Sequence, residues 1–169
     1  METTAVKIDL TRLSDEIPVK WRVQSTKNGW ANCVAYVDAR DVQNHLDDVC
    51  GVANWQSRHA EHKGNLFCEI GINIDGQWVW KSDVGTESNI EKEKGEASDS
   101  FKRAAVMWGV GRFVYSLPII RVKTQEYKGK HYPASNKANG KVLFDGNSLT
   151  AYINHCLNEY GVEQIKKGL

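Results

Sequence analysis

Several features that define common classes of protein are missing from this sequence. No run of apolar residues approaches the length of about 18 that a membrane-spanning helix needs. The first residues lack the basic start and apolar stretch of a signal peptide. The phosphate-binding loop pattern Gly-x-x-x-x-Gly-Lys-Ser/Thr is also absent. We therefore expect a cytoplasmic protein that has no membrane contact and that is not an ATP-driven recombinase or helicase.

Cysteine is sparse, and its spacing gives no metal-binding motif. None of the cysteines forms the Cys-x-x-Cys pair that is typical of a structural zinc site. Scattered cysteines in a cytosolic chain are normally reduced and buried. We expect reduced thiols, no metal and no cofactor. The cysteines are Cys33, Cys50, Cys68 and Cys156.

Charge is distributed very unevenly along the chain, although the formal net charge is only +1. Residues 1–99 contain 11 Lys and Arg against 17 Asp and Glu, a net charge of −6. Residues 100–141 contain 9 against 1, a net charge of +8. A local positive excess is typical of a surface that binds a polyanion. The alternative is a solvated basic face that has no partner.

Hydrophobic periodicity predicts an α+β fold in a single domain, residues 1–169. An N-terminal arm (1–20) precedes a core (21–123), and residues 124–169 contain a basic loop and a C-terminal helix. The part of that loop from 125 to 141 is a candidate mobile loop, because it is rich in Gly, Asn and Lys. Asp38 is a suitable N-cap for a short helix that Gly51 would end.

Alternation of apolar residues predicts an antiparallel sheet of at least three strands that includes a hairpin at Asp75-Gly76. If this dipeptide forms the loop, Trp80 lies opposite Gly71, where its ring can pack over the glycine. A second turn is predicted at Asn28-Gly29.

The stretch from Gly95 to Leu117 predicts one long central helix packed on the sheet, because apolar residues recur at spacings of three and four on more than one face. Gly109 and Gly111 each cost about 1 kcal/mol relative to alanine inside a helix. We therefore expect these glycines to permit a close backbone approach.

Cations in and after this helix are the candidate binding residues, because Lys and Arg neutralise phosphates. Arg40 is added because a cation in the first turn of a helix opposes the helix dipole, which favours a functional role. Arg103 and Arg112 are alternatively ion-pair partners on the helix surface. For Tyr127 and Tyr132, stacking on bases and a structural role both stay open. The candidates are Arg40, Lys102, Arg103, Arg112, Arg121, Lys123 and Lys128.

Catalytic groups are harder to find. Glu126-x-Lys128 resembles half of the acid-x-lysine pattern of magnesium nucleases, but the sequence locates no neighbouring carboxylate convincingly. No Ser/His/Asp or Cys/His set has diagnostic spacing. We expect no enzyme, and a magnesium-dependent nuclease or a passive protein that protects DNA ends remains an alternative.

The order of several short motifs resembles the Rad52 superfamily of single-strand annealing proteins, in its phage and bacterial branch, which includes the DNA damage response protein A type. The resemblance covers roughly residues 20–123. Its signature helix is Ala97-Ser98-Asp99-Ser100-Phe101-Lys102-Arg103-Ala104-Ala105, followed by Trp108-Gly109-Val110-Gly111-Arg112. The other motifs are Trp21-Arg22-Val23-Gln24, Tyr36-Val37-Asp38-Ala39-Arg40, Leu46-Asp47-Asp48-Val49 and Asn54-Trp55-Gln56.

The resemblance implies a homo-oligomeric ring that binds single-stranded DNA by its backbone in a basic groove. It also implies ATP-independent annealing of complementary strands in homologous recombination and DNA repair, in the cytoplasm of a bacterial or phage-infected cell. A single-strand binding protein is a further candidate partner. Arg40 matches a groove-lining arginine and Lys102 a helix lysine of a second DNA contact, whereas Arg121 and Lys123 match a basic region only loosely.

Overall fold

A computed structural model describes residues 7–85, 92–135 and 140–169, so the start of the predicted arm lies outside the described residues. The strands are β1 (Lys20–Lys27), β2 (Trp30–Tyr36), β3 (Trp55–His62), β4 (Asn65–Ile74), β5 (Gln77–Val84), β6 (Ile120–Tyr127) and β7 (Lys130–Pro133). The helices are α1 (Ala39–Cys50), α2 (Lys92–Trp108) and α3 (Gly146–Ile165), with 3₁₀ turns at Leu10–Ser14 and Arg112–Ser116.

These elements fall into two compact units. The first unit comprises residues 1–18 and 37–113, and the second comprises residues 19–36 and 114–169. Each unit contains one antiparallel sheet, so the α+β class is confirmed. A single sheet on one long central helix is not confirmed. Within the described ranges, no helix has both the length and the apolar character that crossing a bilayer requires.

Helix α1 begins and ends where the sequence predicts. The Asp38 carboxylate accepts a hydrogen bond from the Arg40 backbone N–H at 2.9 Å, as an N-cap does. Gly51 follows the helix with a φ of 82°, a left-handed conformation that glycine adopts without a steric penalty. Val42 and Leu46 are fully buried. Local capping and the apolar face therefore specify this helix.

The three-stranded sheet of the first unit has the order β3-β4-β5, and its register confirms the predicted hairpin. Asp75 and Gly76 form the turn with φ values of 51° and 87°, as a two-residue hairpin loop requires. Gly71 pairs directly with Trp80. A Cβ atom at Gly71 would lie 2.8 Å from the Trp80 ring, so the indole occupies the space that a side chain would need.

Replacing Gly71 with alanine is expected to lower the free energy of unfolding by about 1–3 kcal/mol, the usual cost of overpacking. The Trp80 ring has little freedom to retreat because the Arg58 guanidinium lies over it, 4.0 Å from the ring centroid. Urea denaturation measures the change. The double variant G71A/W80A should recover part of the loss, and a G71A variant as stable as the parent would show that the ring does not fill this space.

Helix α2 lies against β4 and β5 and ends at Trp108, nine residues before the predicted end. The Trp108 indole N–H donates to the Ile70 carbonyl at 2.9 Å. The next glycine, Gly109, has a φ of 103°, which stops the helix. The close approach expected there is found, since a Cβ at Gly109 would lie 2.6 Å from the Ser14 Oγ. The prediction of a helix continuing to Leu117 is therefore wrong.

The second unit packs α3 against one face of the sheet β1-β2-β6-β7. Trp21 is fully buried there, and its indole N–H donates to the Asn154 side-chain oxygen at 2.9 Å. The segment predicted as a mobile basic loop instead contains the end of β6 and the strand β7, joined by a turn at Lys128-Gly129. Residues 136–139 of that segment lie outside the described residues.

All four cysteines are buried and free, as expected for reduced thiols. Burial disfavours the thiolate, and it raises the pKa of Cys33, Cys50 and Cys68 to about 11. These thiols are therefore weak nucleophiles near neutral pH, which gives them a packing role.

Candidate nucleic-acid interface

The face of the β1-β2-β6 sheet that points away from α3 is strongly basic. Residues directly across an antiparallel pair share a face, and alternate residues along a strand do the same. Arg121 pairs with Asn32 and Lys123 pairs with Trp30, whereas the intervening Val122 is buried in the core. The Lys and Arg residues on this basic sheet face are Lys20, Arg22, Lys27, Arg121 and Lys123.

A β-bulge brings the two ends of β1 onto the same face. Arg22 and Lys27 are five residues apart, so strict alternation would place them on opposite faces. The register shifts between Val23 and Ser25, and Lys27 pairs with Trp30 as a result. The bulge therefore adds a cation to the basic sheet face, and the sequence contains no obvious signal for it.

The basic sheet face carries no carboxylate from its three strands. Their sequences contain a single acid, Glu126. It lies at the far end of β6, and strand alternation places it on the opposite face from Arg121 and Lys123. Among the described residues, no ion pair is formed by Arg22, Lys27, Arg121 or Lys123, and all four are exposed. Uncompensated cations in this arrangement attract a polyanion.

Trp30 holds two of these cations in place. The Arg121 guanidinium lies 4.6 Å from the centroid of the half-buried indole, and the Lys123 Nζ lies 5.8 Å from it. A Cβ at Gly168 would lie 2.7 Å from the same ring, so the indole is packed against backbone. Both cations therefore stand on a fixed aromatic support.

Four of the seven predicted DNA-binding residues lie in the first unit: Arg40, Lys102, Arg103 and Arg112. Arg40 is exposed in the first turn of α1, and in the described part of the chain its guanidinium has no hydrogen-bond or ion-pair partner. Lys102 is half-buried on α2. Arg40 thus has the availability that a phosphate contact needs.

Arg103 and Arg112 are both engaged within the protein. The Arg103 Nε lies 3.7 Å from the Asp83 carboxylate. The Arg112 guanidinium donates to the Val106 carbonyl at 2.7 and 3.2 Å, at the C-terminal end of α2, where a cation is favourable for the helix dipole. Lys81 donates to the neighbouring Met107 carbonyl at 3.1 Å. The alternative role that the sequence left open for Arg103, an ion pair, is therefore present.

The structure groups the predicted residues only in part. Arg121 and Lys123 share the Trp30 ring, whereas Lys128 lies in the β6–β7 turn, 5.4 Å from the Tyr127 ring centroid. Sequence reasoning missed Arg22 and Lys27, because the charge was counted over residues 1–99, which are acidic as a whole, and not over the acid-free stretch 17–37. Only the strand pairing places them beside the basic segment.

Glu126 does not belong to a recognisable metal site. It pairs with His131 across the β6–β7 hairpin. Among the residues that the structure describes, no three His, Cys, Asp or Glu side chains lie close enough to hold one metal ion.

An α+β fold whose sheet face carries five cations and no carboxylate from its three strands is typical of the class of proteins that bind a polyanion, and nucleic acid is the polyanion that the resemblance indicates. Comparison with known proteins agrees with this class. The pattern of the Rad52/22 family of double-strand break repair proteins matches residues 2–132. The chain therefore belongs to the Rad52/22 family.

Two relatives are bacterial proteins named single-stranded DNA-binding protein DdrA. The protein from Deinococcus deserti is 36% identical over 87 residues, which are 50% of this chain and 43% of that relative. The protein from Deinococcus radiodurans is 33% identical over 103 residues, which are 60% of this chain and 48% of that relative. The chain thus spans about half the length of the relatives it matches.

Proposed function

We propose that this protein binds single-stranded DNA by its phosphates and anneals complementary strands in homologous recombination and DNA repair. The observation that carries the proposal is the basic sheet face, which holds five cations and receives no carboxylate side chain from its three strands. The family membership and the name of the DdrA relatives support it. Annealing requires free base edges, so contacts to the backbone suit it better than contacts to bases.

The proposal assigns phosphate contacts to two groups of residues. In the second unit these are Arg22, Lys27, Arg121, Lys123 and Lys128, and in the first unit they are Arg40 and Lys102. Arg103 and Arg112 remain in the proposal as weaker contributors, because each already has an interaction within the protein. We expect their replacement to affect stability more than DNA binding.

We propose that residues 1–169 act as a single DNA-annealing domain and that several copies assemble into a homo-oligomeric ring. The basic surfaces of neighbouring subunits would then form one continuous groove. A ring would multiply the local charge of each subunit into a cationic track along which a strand can lie. The proposed setting is the cytoplasm of a bacterial or phage-infected cell, where a single-strand binding protein would be a further partner. Mass measurement of the purified assembly, alone and with an oligonucleotide, tests the ring.

Annealing is tested by mixing two complementary strands and timing duplex formation with and without the protein, in a buffer that contains no ATP. A faster rate with protein supports the proposal. Binding without acceleration would indicate a passive protein that protects DNA. The same strands incubated with the protein and magnesium should stay intact. Shorter products would instead indicate the nuclease alternative at Glu126 and Lys128.

Replacing Arg40 or Lys102 with alanine is expected to weaken single-strand binding and to flatten its salt dependence. Each lost phosphate contact should remove about 0.7 from the slope of log K against log salt. Fluorescence anisotropy titrations at several salt concentrations measure the slope. Arg12→Ala is a matched control, since Arg12 is paired with Asp48. Unchanged isotherms for both variants would refute these two assignments.

A further inference from the structure

Three aromatic side chains form a cluster at the end of the β6–β7 hairpin, here called the hairpin-tip cluster: Tyr127, Tyr132 and Phe144. The Phe144 ring centroid lies 5.0 Å from that of Tyr127 and 5.3 Å from that of Tyr132, with interplanar angles of 71° and 65°. Edge-to-face contacts of this kind occupy at most one face of one ring in each pair. At least four of the six ring faces are therefore left unused by the contacts within the cluster.

Two of the three rings of the cluster are exposed, whereas Tyr132 is half-buried. Phe144 is 56% exposed and Tyr127 is 45% exposed. The residue before Phe144, Leu143, is buried and donates its N–H to the Pro133 carbonyl at 2.8 Å. The residue after it, Asp145, caps α3. Phe144 thus stays more than half exposed between two anchored neighbours, and its contacts with the two tyrosines bury only part of its apolar surface.

The surroundings of the cluster are positively charged. Lys128, Lys130 and Lys141 are all exposed. The Lys128 Nζ lies 5.4 Å from the Tyr127 ring centroid, and Lys130 pairs with Tyr127 across the hairpin. The carboxylate of Asp145, the residue after Phe144, accepts hydrogen bonds from the Ser148 backbone and hydroxyl, which lower its pKa and keep it engaged at the helix start. The charge of Lys141 also helps to lower the pKa of Asp145. Positive charge and open aromatic faces together are the combination that single-stranded nucleic acid requires.

We infer that the hairpin-tip cluster binds an unpaired nucleobase of single-stranded DNA, an inference that rests on the proposed function. The base stacks on an open face of Phe144 or Tyr127, and the lysines take the flanking phosphates. This contact differs in kind from the backbone contacts of the basic sheet face. It tolerates any sequence because every base has an aromatic face.

A second copy of this chain is a less suitable occupant of the cluster. Two hairpin tips that meet would bring three exposed lysines of one copy against the same three of the other, which is unfavourable. A polyanion instead gains from the same charges. Self-association is therefore left as an outcome of the test.

The test compares Phe144→Ala with the parent protein on two probes of equal length, oligo(dT) and a strand in which a run of thymidines is replaced by abasic residues. Stacking of one base on an aromatic side chain should make oligo(dT) binding about 5- to 150-fold weaker in the variant. Binding of the abasic strand should be the same for both proteins. Phe144→Leu keeps apolar area without a ring and should behave like the alanine variant, whereas Phe144→Trp should restore binding.

Tyr160→Ala provides a matched control, because Tyr160 is an exposed aromatic residue on α3 of the same unit. It should leave both affinities unchanged. Equal losses on both probes, or no loss on either, would overturn the inference while leaving backbone binding intact. If Phe144→Ala changes the mass of the assembly but not the ratio of the two affinities, the cluster contacts a second copy of the chain. That result would also overturn the inference. Failure of the parent protein to bind either probe would instead refute the proposed function.

Discussion

Removing four cations from the basic sheet face should abolish most of the affinity for single-stranded DNA. The variant replaces Arg22, Lys27, Arg121 and Lys123 with alanine. At about 0.7 per contact, four lost phosphate contacts remove about 2.8 from the salt slope. At 1 M salt, screening removes the electrostatic contribution, so the parent and the variant should bind with similar affinity. Over the tenfold change in salt from 1 M to 0.1 M, the slope difference makes the variant bind about 600-fold more weakly than the parent. Titrations of short oligonucleotides across a salt series measure both quantities.

The matched control removes the same amount of charge from elsewhere. Its cations all have partners within the protein: Arg12 with Asp48, Arg58 with Glu69, Lys166 with Glu163 and Lys167 with Gln164. Alanine at these four positions lowers the net charge equally but leaves the basic sheet face intact. If both variants lose the same affinity, net charge governs binding and the sheet face is not the interface. Thermal unfolding confirms that each variant is folded.

Short-range signals allowed the sequence to predict the hairpins only where the turn residues are distinctive. Asn28-Gly29 and Asp75-Gly76 were predicted, because Asn and Asp tolerate a positive φ. Lys63-Gly64 and Lys128-Gly129 adopt the same conformation, with φ values of 51° and 50° at the lysines. Lysine has no such preference, so cross-strand pairing must stabilise these turns. This explains why β7 was predicted as part of a loop.

The end of α2 illustrates a conflict between two signals. The apolar periodicity continues beyond Trp108 and predicts a longer helix, whereas two nearby glycines favour an end. Gly109 and Gly111 both have positive φ, so the glycine signal prevails. The sequence shows that glycine is unfavourable inside a helix, but it does not show why position 109 needs a glycine. The reason is the close contact with Ser14, which depends on the tertiary structure.

The candidate interface was predictable for β6 but not for β1. A local charge count found Arg121 and Lys123, because they lie in a segment that is basic as a whole. Arg22 and Lys27 lie in a short stretch, residues 17–37, that has three cations and no acid, but a charge count over residues 1–99 hides it because that half is acidic as a whole. They reach the same face as Arg121 only through pairing with β2 and a bulge. Strand order and register are set by long-range packing, which local composition does not encode.

Replacing Trp21 with alanine should destabilise the second unit by about 3–5 kcal/mol, the usual cost of removing a buried aromatic side chain. Trp21 is fully buried between β1 and α3, and its loss also leaves the Asn154 side-chain oxygen without its indole donor. Because β1 carries Arg22 and Lys27 on its opposite face, DNA binding should fall together with folding. Urea denaturation followed by circular dichroism, with DNA titrations at the same temperature, measures both effects.

Trp21→Phe separates support of the sheet from direct contact with DNA. Phenylalanine keeps most of the apolar packing but lacks the indole N–H, so the expected loss is about 1 kcal/mol, the low end of the cost of an unsatisfied acceptor, because Asn154 is only half-buried. The folded fraction of this variant should bind DNA with the parent salt slope, because all the cations of the basic sheet face remain. A folded Trp21→Phe protein with a reduced slope would contradict a purely supporting role for Trp21. An alanine variant as stable as the parent would show that α3 does not hold β1 in place through this side chain.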